Sequence, residues 1–302
     1  MINTFPTFSG LSLDCIEEIS SFVSSLPPYS DFNPTSMWTW DTAGEIRVSW
    51  HRGNLVVQFA DYITGAPFLS VCGSNDIDDT IADVIDYARE HDMPHTLRLI
   101  PEYVIEKLQH PEIYAISEED DSHDYILSVD ALTTLGGNKL RGKKNFSNRF
   151  QKAHADSVSI SVLELTDPGV QIQIRALVDI WAQNTTQAAD DVENERIAID
   201  RMLTHAAHFA AYSVGIFVGE TLVAFSIEEE VSEAYGLIHY EKADISYTGI
   251  FPFLKQQSAI EFQKRGCEFI NYEQDLGIEG LRKAKKSYRP ISFLKKYTIA
   301  PK

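Results

Sequence analysis

The sequence is poor in three things, and each lack removes a class of protein. Cysteine occurs only three times in 302 residues, at Cys15, Cys72 and Cys267. An odd number at wide spacing supports neither a disulfide framework nor a thiolate metal site, and no metal is expected. Long apolar runs are missing: none approaches the ~18–20 residues that a membrane-crossing helix needs. The start, Met1 to Pro6, has no basic stretch and no apolar core, so no signal peptide is expected and the cytoplasm is the expected compartment. Positive charge is scarce, with 26 Lys and Arg against 44 Asp and Glu and a net charge of −18. A chain so acidic is, on average, a poor partner for nucleic acid or anionic lipid. The sequence also lacks a GxxxxGK[ST] phosphate loop, an HExxH helix and a GxSxG elbow.

What the chain does contain is enough apolar material for packed interiors, 44% hydrophobic and 11% aromatic. Its length suits two domains of roughly 150 residues each. The few cations are unevenly placed. Residues 139–152 hold six Lys/Arg and residues 282–296 hold seven, with no acid in either run. These two runs carry half of the basic side chains, a segregation beyond an ordinary solvated face if they converge in space.

Periodicity predicts an α+β chain with mixed sheets flanked by helices. In the first half a helix is expected over 13–23, ended by Pro27-Pro28, then a hairpin turning at Arg52-Gly53-Asn54. A strand at 68–72, a helix at 77–90 and a buried strand at 97–100 follow. Trp38, Trp40 and Trp50 are expected to build core. The second half opens with a strand at 125–129 and a basic helix over 137–154. A strand at 158–163, helices at about 169–188 and 193–207, and a three-strand meander to Glu241 come next. Loop 244–249 feeds a helix at 250–264, and strands are expected at 268–272 and 293–299. Helices, a meander, then strand–loop–helix–strand is the order of the GNAT acyltransferase fold, and the first half reads as a vaguer copy. The expected domains are therefore 1–124 and 125–302, each GNAT-like, with the site in the second.

Four stretches carry a resemblance: Leu140 to Arg149, Ile238 to Ala243, Asn271 to Lys285, and Lys295-Lys296-Tyr297. They resemble bacterial proteins related to the C-terminal domain of phosphatidylglycerol lysyltransferase, a group similar in turn to the Fem-type aminoacyltransferases. The resemblance implies two GNAT-like domains in tandem and acyl or aminoacyl transfer, with aminoacyl-tRNA as a donor. The large transmembrane part of the lipid-modifying enzymes is not expected here.

Acyl transfer needs a donor site, a hydrogen-bond donor for the developing oxyanion and a base. Loop residues Ser246, Tyr247, Thr248 and Gly249, ahead of a helix N-terminus, are the expected phosphate contacts. In Asn271-Tyr-Glu-Gln-Asp-Leu-Gly277, strand alternation would put Glu273 and Asp275 on one side, as a base or as holders of a substrate amine. Ion pairs from both to Arg282 and Lys285 are the plainer alternative. Arg282, Lys285, Lys286 and Arg289 fall on one helical face, and Lys143, Lys144, Asn145 and Arg149 offer a second anion patch. On the strand 238–242, Glu241 is a candidate base and Tyr240 a candidate proton donor, register deciding which faces the pocket. The expected function is an acyl- or aminoacyltransferase acting on an amine or hydroxyl, its donor, aminoacyl-tRNA or acyl-CoA, carrying phosphate. The alternative is a non-catalytic GNAT-like module binding a small ligand. Oligomeric state is left open.

Overall fold

The structure is a computed structural model describing residues 1–61, 64–185 and 187–302. Two compact units divide the chain: Met1–Asp124 with Gln274–Gly277 and Phe293–Lys302, and Tyr125–Glu273 with Ile278–Ser292. The expected second domain, 125–302, is thus not a single stretch. Its closing strand, Lys296–Pro301, pairs within the first unit, for a reason visible in the ladders.

In the first unit, β1 (Ser9–Gly10), β2 (Arg47–His51), β3 (Asn54–Ala60) and β4 (Pro67–Cys72) form an antiparallel sheet in that order. Helices α1 (Ile16–Val23) and α2 (Pro34–Trp40) lie between β1 and β2 in the chain, and Trp38 of α2 is buried as expected. Helix α3 (Ile77–Glu90) buries Ile77, Ile81, Val84, Ile85 and Ala88, one face of a 3.6-residue period. Asp78 and Asp79 in its first turn suit the helix dipole. Then come β5 (Leu97–Pro101), the short α4 (Glu102–Ile105) and β6 (Tyr114–Glu118). The strand between β5 and β6 is supplied by the end of the chain, Lys296–Pro301, antiparallel to both.

The second unit repeats this order. After β7 (Asp124–Ser128), α5 (Val129–Thr134) and α6 (Gly137–Ala153), strand β8 (Val158–Leu163) begins the sheet. Helices α7 (Pro168–Asn184) and α8 (Ala189–Thr204) follow; both end earlier than the periodicity suggested, and residue 186 of the expected 169–188 helix lies outside the described residues. The meander β9 (Ala211–Val218), β10 (Thr221–Glu230) and β11 (Tyr235–Ala243) leads to α9 (Ile250–Lys264), β12 (Phe269–Asn271), α10 (Glu279–Lys286) and β13 (Ser292–Leu294). The sheet order is β13-β7-β12-β11-β10-β9-β8, and the closing strand of the chain is β14 (Lys296–Pro301). In each unit the strand between the fifth and the sixth comes from elsewhere in the sequence: β14 in the first, β7 in the second. The two units share one strand order, and the pairing of β14 within the first is why the units are not consecutive.

Candidate active site

The second unit contains the wedge from which a site can be built. Strands β11 and β12 run parallel for only three pairs, Tyr235–Phe269, Gly236–Ile270 and Leu237–Asn271. Past Leu237, β11 continues to Ala243 while the other chain leaves the sheet at Asn271. Polar groups from β11, α9 and the chain after β12 meet beyond that parting. A register shift against β10 helps to aim them: Ile227 pairs with Tyr240 but Glu228 with Ile238, leaving His239 as the extra residue.

This register settles which residues face α9. Glu241 points toward that helix and forms an ion pair with Lys255 (Oε1–Nζ 2.6 Å), and its Oε2 accepts from the Tyr272 hydroxyl at 2.7 Å. Tyr240, one residue earlier, lies on the opposite face and is buried. His239 pairs with Glu229 at 3.0 Å, a satisfied core histidine. Lys255 is fully enclosed; its ammonium lies 3.3 Å from the Tyr272 ring centroid, and burial pushes its pKa down against the pull of Glu241. The Tyr272 hydroxyl is pushed well up by burial and by the Glu241 charge, so it stays a hydrogen-bond donor.

On the neighbouring strand β10, Glu228 is fully buried and accepts from the Ser226 hydroxyl at 2.5 Å; Ser226 meets Ser258 of α9 at 3.0 Å. Burial raises the Glu228 carboxyl to about 7, and the nearby Glu241 charge adds to it. Two carboxylates and one ammonium in an enclosed space make the second carboxylate costly, which is why the proton stays on Glu228 into the neutral range.

Around this core stand the cations, and here the two basic runs do converge. Lys143 of α6 sits over the ring of Tyr288, just beyond α10, with Nζ 4.2 Å from the centroid. Lys285 is buried and donates to the Tyr272 carbonyl oxygen. The expected stripe on α10 is therefore broken. Lys285 turns inward, and Arg289 lies past the helix end in the left-handed region (φ 61°). Arg282, Lys283, Lys286 and Arg289, with Glu279 and Ser287, line an open depression of about 440 Å³. On α6, Lys139, Arg141, Lys144, Asn145, Arg149 and Lys152 are exposed, and no ion pair among the described residues engages these cations.

Loop residues Ser246, Tyr247 and Thr248 line a cleft of about 300 Å³ together with Arg149, Ala153 and His154 of α6 and the turn after it. Gly249 caps α9 at φ 91°, and a Cβ there would lie 2.1 Å from the Phe146 carbonyl oxygen. Its glycine is thus required by close packing of α6 as well as by backbone conformation. The expected loop residues and Arg149 are brought together.

Glu273 and Asp275 do not share a strand face. Strand β12 ends at Asn271, whose side chain accepts from the Glu273 amide at 2.7 Å, and Glu273 and Leu276 take φ of 53°. Alternation stops where the backbone turns left-handed. Glu273 is half-buried in the second unit, whereas Asp275 is buried, accepts from the Gly277 amide at 2.9 Å and belongs to the first.

Lys255, Glu228, Tyr272 and Tyr288 were not singled out in the sequence. The available signals were a lone lysine inside the apolar run Ile250–Phe262 and an acid closing the apolar stretch of β10. Each could equally mark a surface position, and only the packing of α9 on β10 and β11 separates the cases.

Comparison with known proteins agrees with this architecture. A conserved protein of unknown function from Bacteroides thetaiotaomicron is similar over 100% of both chains, with 25% identity and a TM-score of 0.83. The C-terminal domain of a protein named as a lysylphosphatidylglycerol synthetase from Agrobacterium fabrum is similar in fold at 14% identity and a TM-score of 0.68, covering 95% of this chain and 92% of that one. The structure titled L-PGS from Bacillus licheniformis shares the fold at 14% identity and a TM-score of 0.62, covering 100% and 94%. No curated protein sequence matches the chain. No helix among the described residues is long and apolar enough to cross a membrane. The family model described as "Phosphatidylglycerol lysyltransferase, C-terminal" matches residues 25–300, and the chain belongs to that family.

Proposed function

We propose that the second unit transfers an aminoacyl group from aminoacyl-tRNA to an amine or hydroxyl acceptor. The observation that carries this reading is the meeting of α6 with the turn that follows α10, at the Lys143–Tyr288 contact. It sets a cationic rim beside the wedge that holds Glu241, Lys255 and Tyr272. An aminoacyl-tRNA needs both parts: cations for a polyanion and polar groups for an amino acid. Family membership supports transfer chemistry of this class.

In this reading Arg282, Lys286 and Arg289 hold phosphates at the depression, and Lys144 and Arg149 extend the track along α6. Glu273, half-buried where the chain leaves the sheet, is the carboxylate that takes the proton of the acceptor or holds the substrate ammonium. Glu241 is tied to Lys255 and Tyr272 and acts by positioning them. A second reading, a ligand-binding module without turnover, is favoured by that same internal pairing.

Equilibrium binding tests the donor. Aminoacyl-tRNA should bind in the micromolar range at low salt, deacylated tRNA several-fold more weakly, and acyl-CoA not measurably. The triple charge reversal R282E/K286E/R289E should weaken tRNA binding by at least tenfold. Binding of acyl-CoA in preference to aminoacyl-tRNA, or a triple variant that binds as well as the wild type, would overturn the assignment.

A further inference from the structure

Lys143 is the one cation of α6 drawn inward. Lys139, Arg141, Lys144, Arg149 and Lys152 are exposed, whereas Lys143 is half-buried with its ammonium over the Tyr288 ring. No carboxylate among the described residues pairs with it. It stands at a seam. Tyr288, beneath it, lies between Ser287 and Arg289, both of which line the cationic depression. Lys255 is near as well, its ammonium 5.9 Å from the centroid of the same ring; burial presses the Lys255 pKa down, and the Lys143 charge adds to it. Lys255 in turn holds Glu241 and covers the Tyr272 ring.

A seam of this kind has a chemical meaning if the donor is an aminoacyl ester. The phosphates belong to the rim and the aminoacyl group to the wedge, and the bond that breaks joins the two. We propose that Lys143 is the proton donor to the leaving oxygen in aminoacyl transfer, an inference that rests on the transferase reading above. The acceptor nitrogen or oxygen attacks the ester carbonyl carbon and forms the new bond. The carbon–oxygen bond to the nucleotide breaks, and its electron pair goes to the ribose oxygen. That oxygen takes a proton from Lys143 Nζ, leaving a neutral amine, while the acceptor's proton passes to the base. The amine recovers a proton from solvent, and atoms and charge balance over the cycle.

The surroundings suit an acid that must let go of its proton. Half-burial without a paired carboxylate lowers the Lys143 pKa, and the face of Tyr288 holds the ammonium without accepting its proton.

The test has two readouts on the full chain. The first is competitive trace acetylation with acetic anhydride across pH, read by mass spectrometry. Lys143 should acetylate with a midpoint below those of Lys139 and Lys144. A midpoint equal to theirs would overturn the proposal, whatever the donor does. The second is single-turnover loss of the aminoacyl ester from a pool of aminoacylated tRNA, with phosphatidylglycerol vesicles and free amino acids as acceptors. K143M and K143R should each bind the donor within about threefold of wild type and lose ~100-fold or more in transfer. Arginine keeps the charge and the ring contact but not the readily lost proton. Wild-type transfer should fall above the Lys143 midpoint, and a K143R enzyme with wild-type rate would show that charge alone suffices and refute proton donation. Failure of the wild type to bind aminoacyl-tRNA removes the proposed function instead, a result distinguishable from the Lys143 midpoint.

Discussion

Glu228 and Lys296 show what single buried charges do to each unit. The folded pKa of Glu228, about 7, lies above its ordinary value of 4.5, so the folded state holds a proton that the unfolded chain has already lost. Its carboxyl therefore favours folding least at high pH: stability falls as pH rises from about 4.5 through 7. Glu228→Gln removes that dependence. Between pH 5 and 8 the stability gap between variant and wild type should move by about 3 kcal/mol in the variant's favour, read from denaturant titrations. A gap that stays flat with pH would contradict the assignment. In the first unit, Lys296 is wholly enclosed, with Nζ to Asp124 at 2.7 Å and to Gln274 at 3.1 Å, and in an ion pair with Asp31. Ser30 donates to Asp124 through both its amide and its hydroxyl at 2.7 Å. Lys296→Met should cost ~3–5 kcal/mol, because two buried carboxylates lose their counter-ion; a loss under ~1 kcal/mol would show that water or protonation replaces it. Residues of this kind are the least legible in sequence. The run holding Lys296 reads as a cationic surface patch, yet that lysine is internal, because burial of a charge depends on partners more than a hundred residues away. Glu241 was legible as a candidate, since a carboxylate on a central strand has few uses. Its partner Lys255 was not.

Elements were far more readable than their assignment to units. The helix over 77–90, the basic helix from Gly137, the meander and the helix at 250–264 all follow from local periodicity, and all are present. What periodicity does not encode is which sheet a strand joins. Strand β14 has the same alternation in either unit, and only its pairing with β5 and β6 fixes it in the first. Ending the chain after Ser292 should therefore expose the facing edges of β5 and β6. Hydrogen exchange should show their amides unprotected while those of β9 to β11 keep their protection; unchanged protection of β5 and β6 would contradict the ladder. Similar logic applied to the end of β12. The expectation that Glu273 and Asp275 share a face failed because Asn271 ends the strand and the next turn is left-handed, a choice made by a side-chain-to-amide bond that no period reports. Gly249 was legible as a turn but not as a packing site. Gly249→Ala combines a positive φ with a clash against the Phe146 carbonyl, so a loss of ~2–4 kcal/mol is expected in thermal or chemical unfolding. A loss below ~0.5 kcal/mol would mean that α6 is free to move away.

For the whole molecule, a net charge of −18 and the proposed polyanionic donor are compatible because the cations are gathered. Long-range repulsion from the acidic remainder should slow encounter at low salt, while the rim supplies short-range attraction once the donor arrives. The salt dependence separates these. Affinity for tRNA should fall steeply with salt, with a log–log slope of about −0.9 for each phosphate neutralised on a duplex stem, and the triple variant should flatten it by about two to three. An equal slope in both proteins would place the contacts elsewhere. The fold class, the tandem GNAT-like arrangement and the family could be read from the sequence, because strand order and the stretches 140–149 and 271–285 are local records. The convergence of the two basic runs could not, since it depends on how α6 lies across α9.

Aminoacyl transfer can be measured directly. A pool of tRNA carrying radiolabelled amino acids is incubated with the full chain, phosphatidylglycerol vesicles and free amino acids, and the label remaining on tRNA is followed with time. Label should leave tRNA faster than by spontaneous hydrolysis and reappear in one acceptor, with the rate lost in K143M. Label that decays at the same rate with and without protein, and enters neither acceptor, would contradict the proposed transfer.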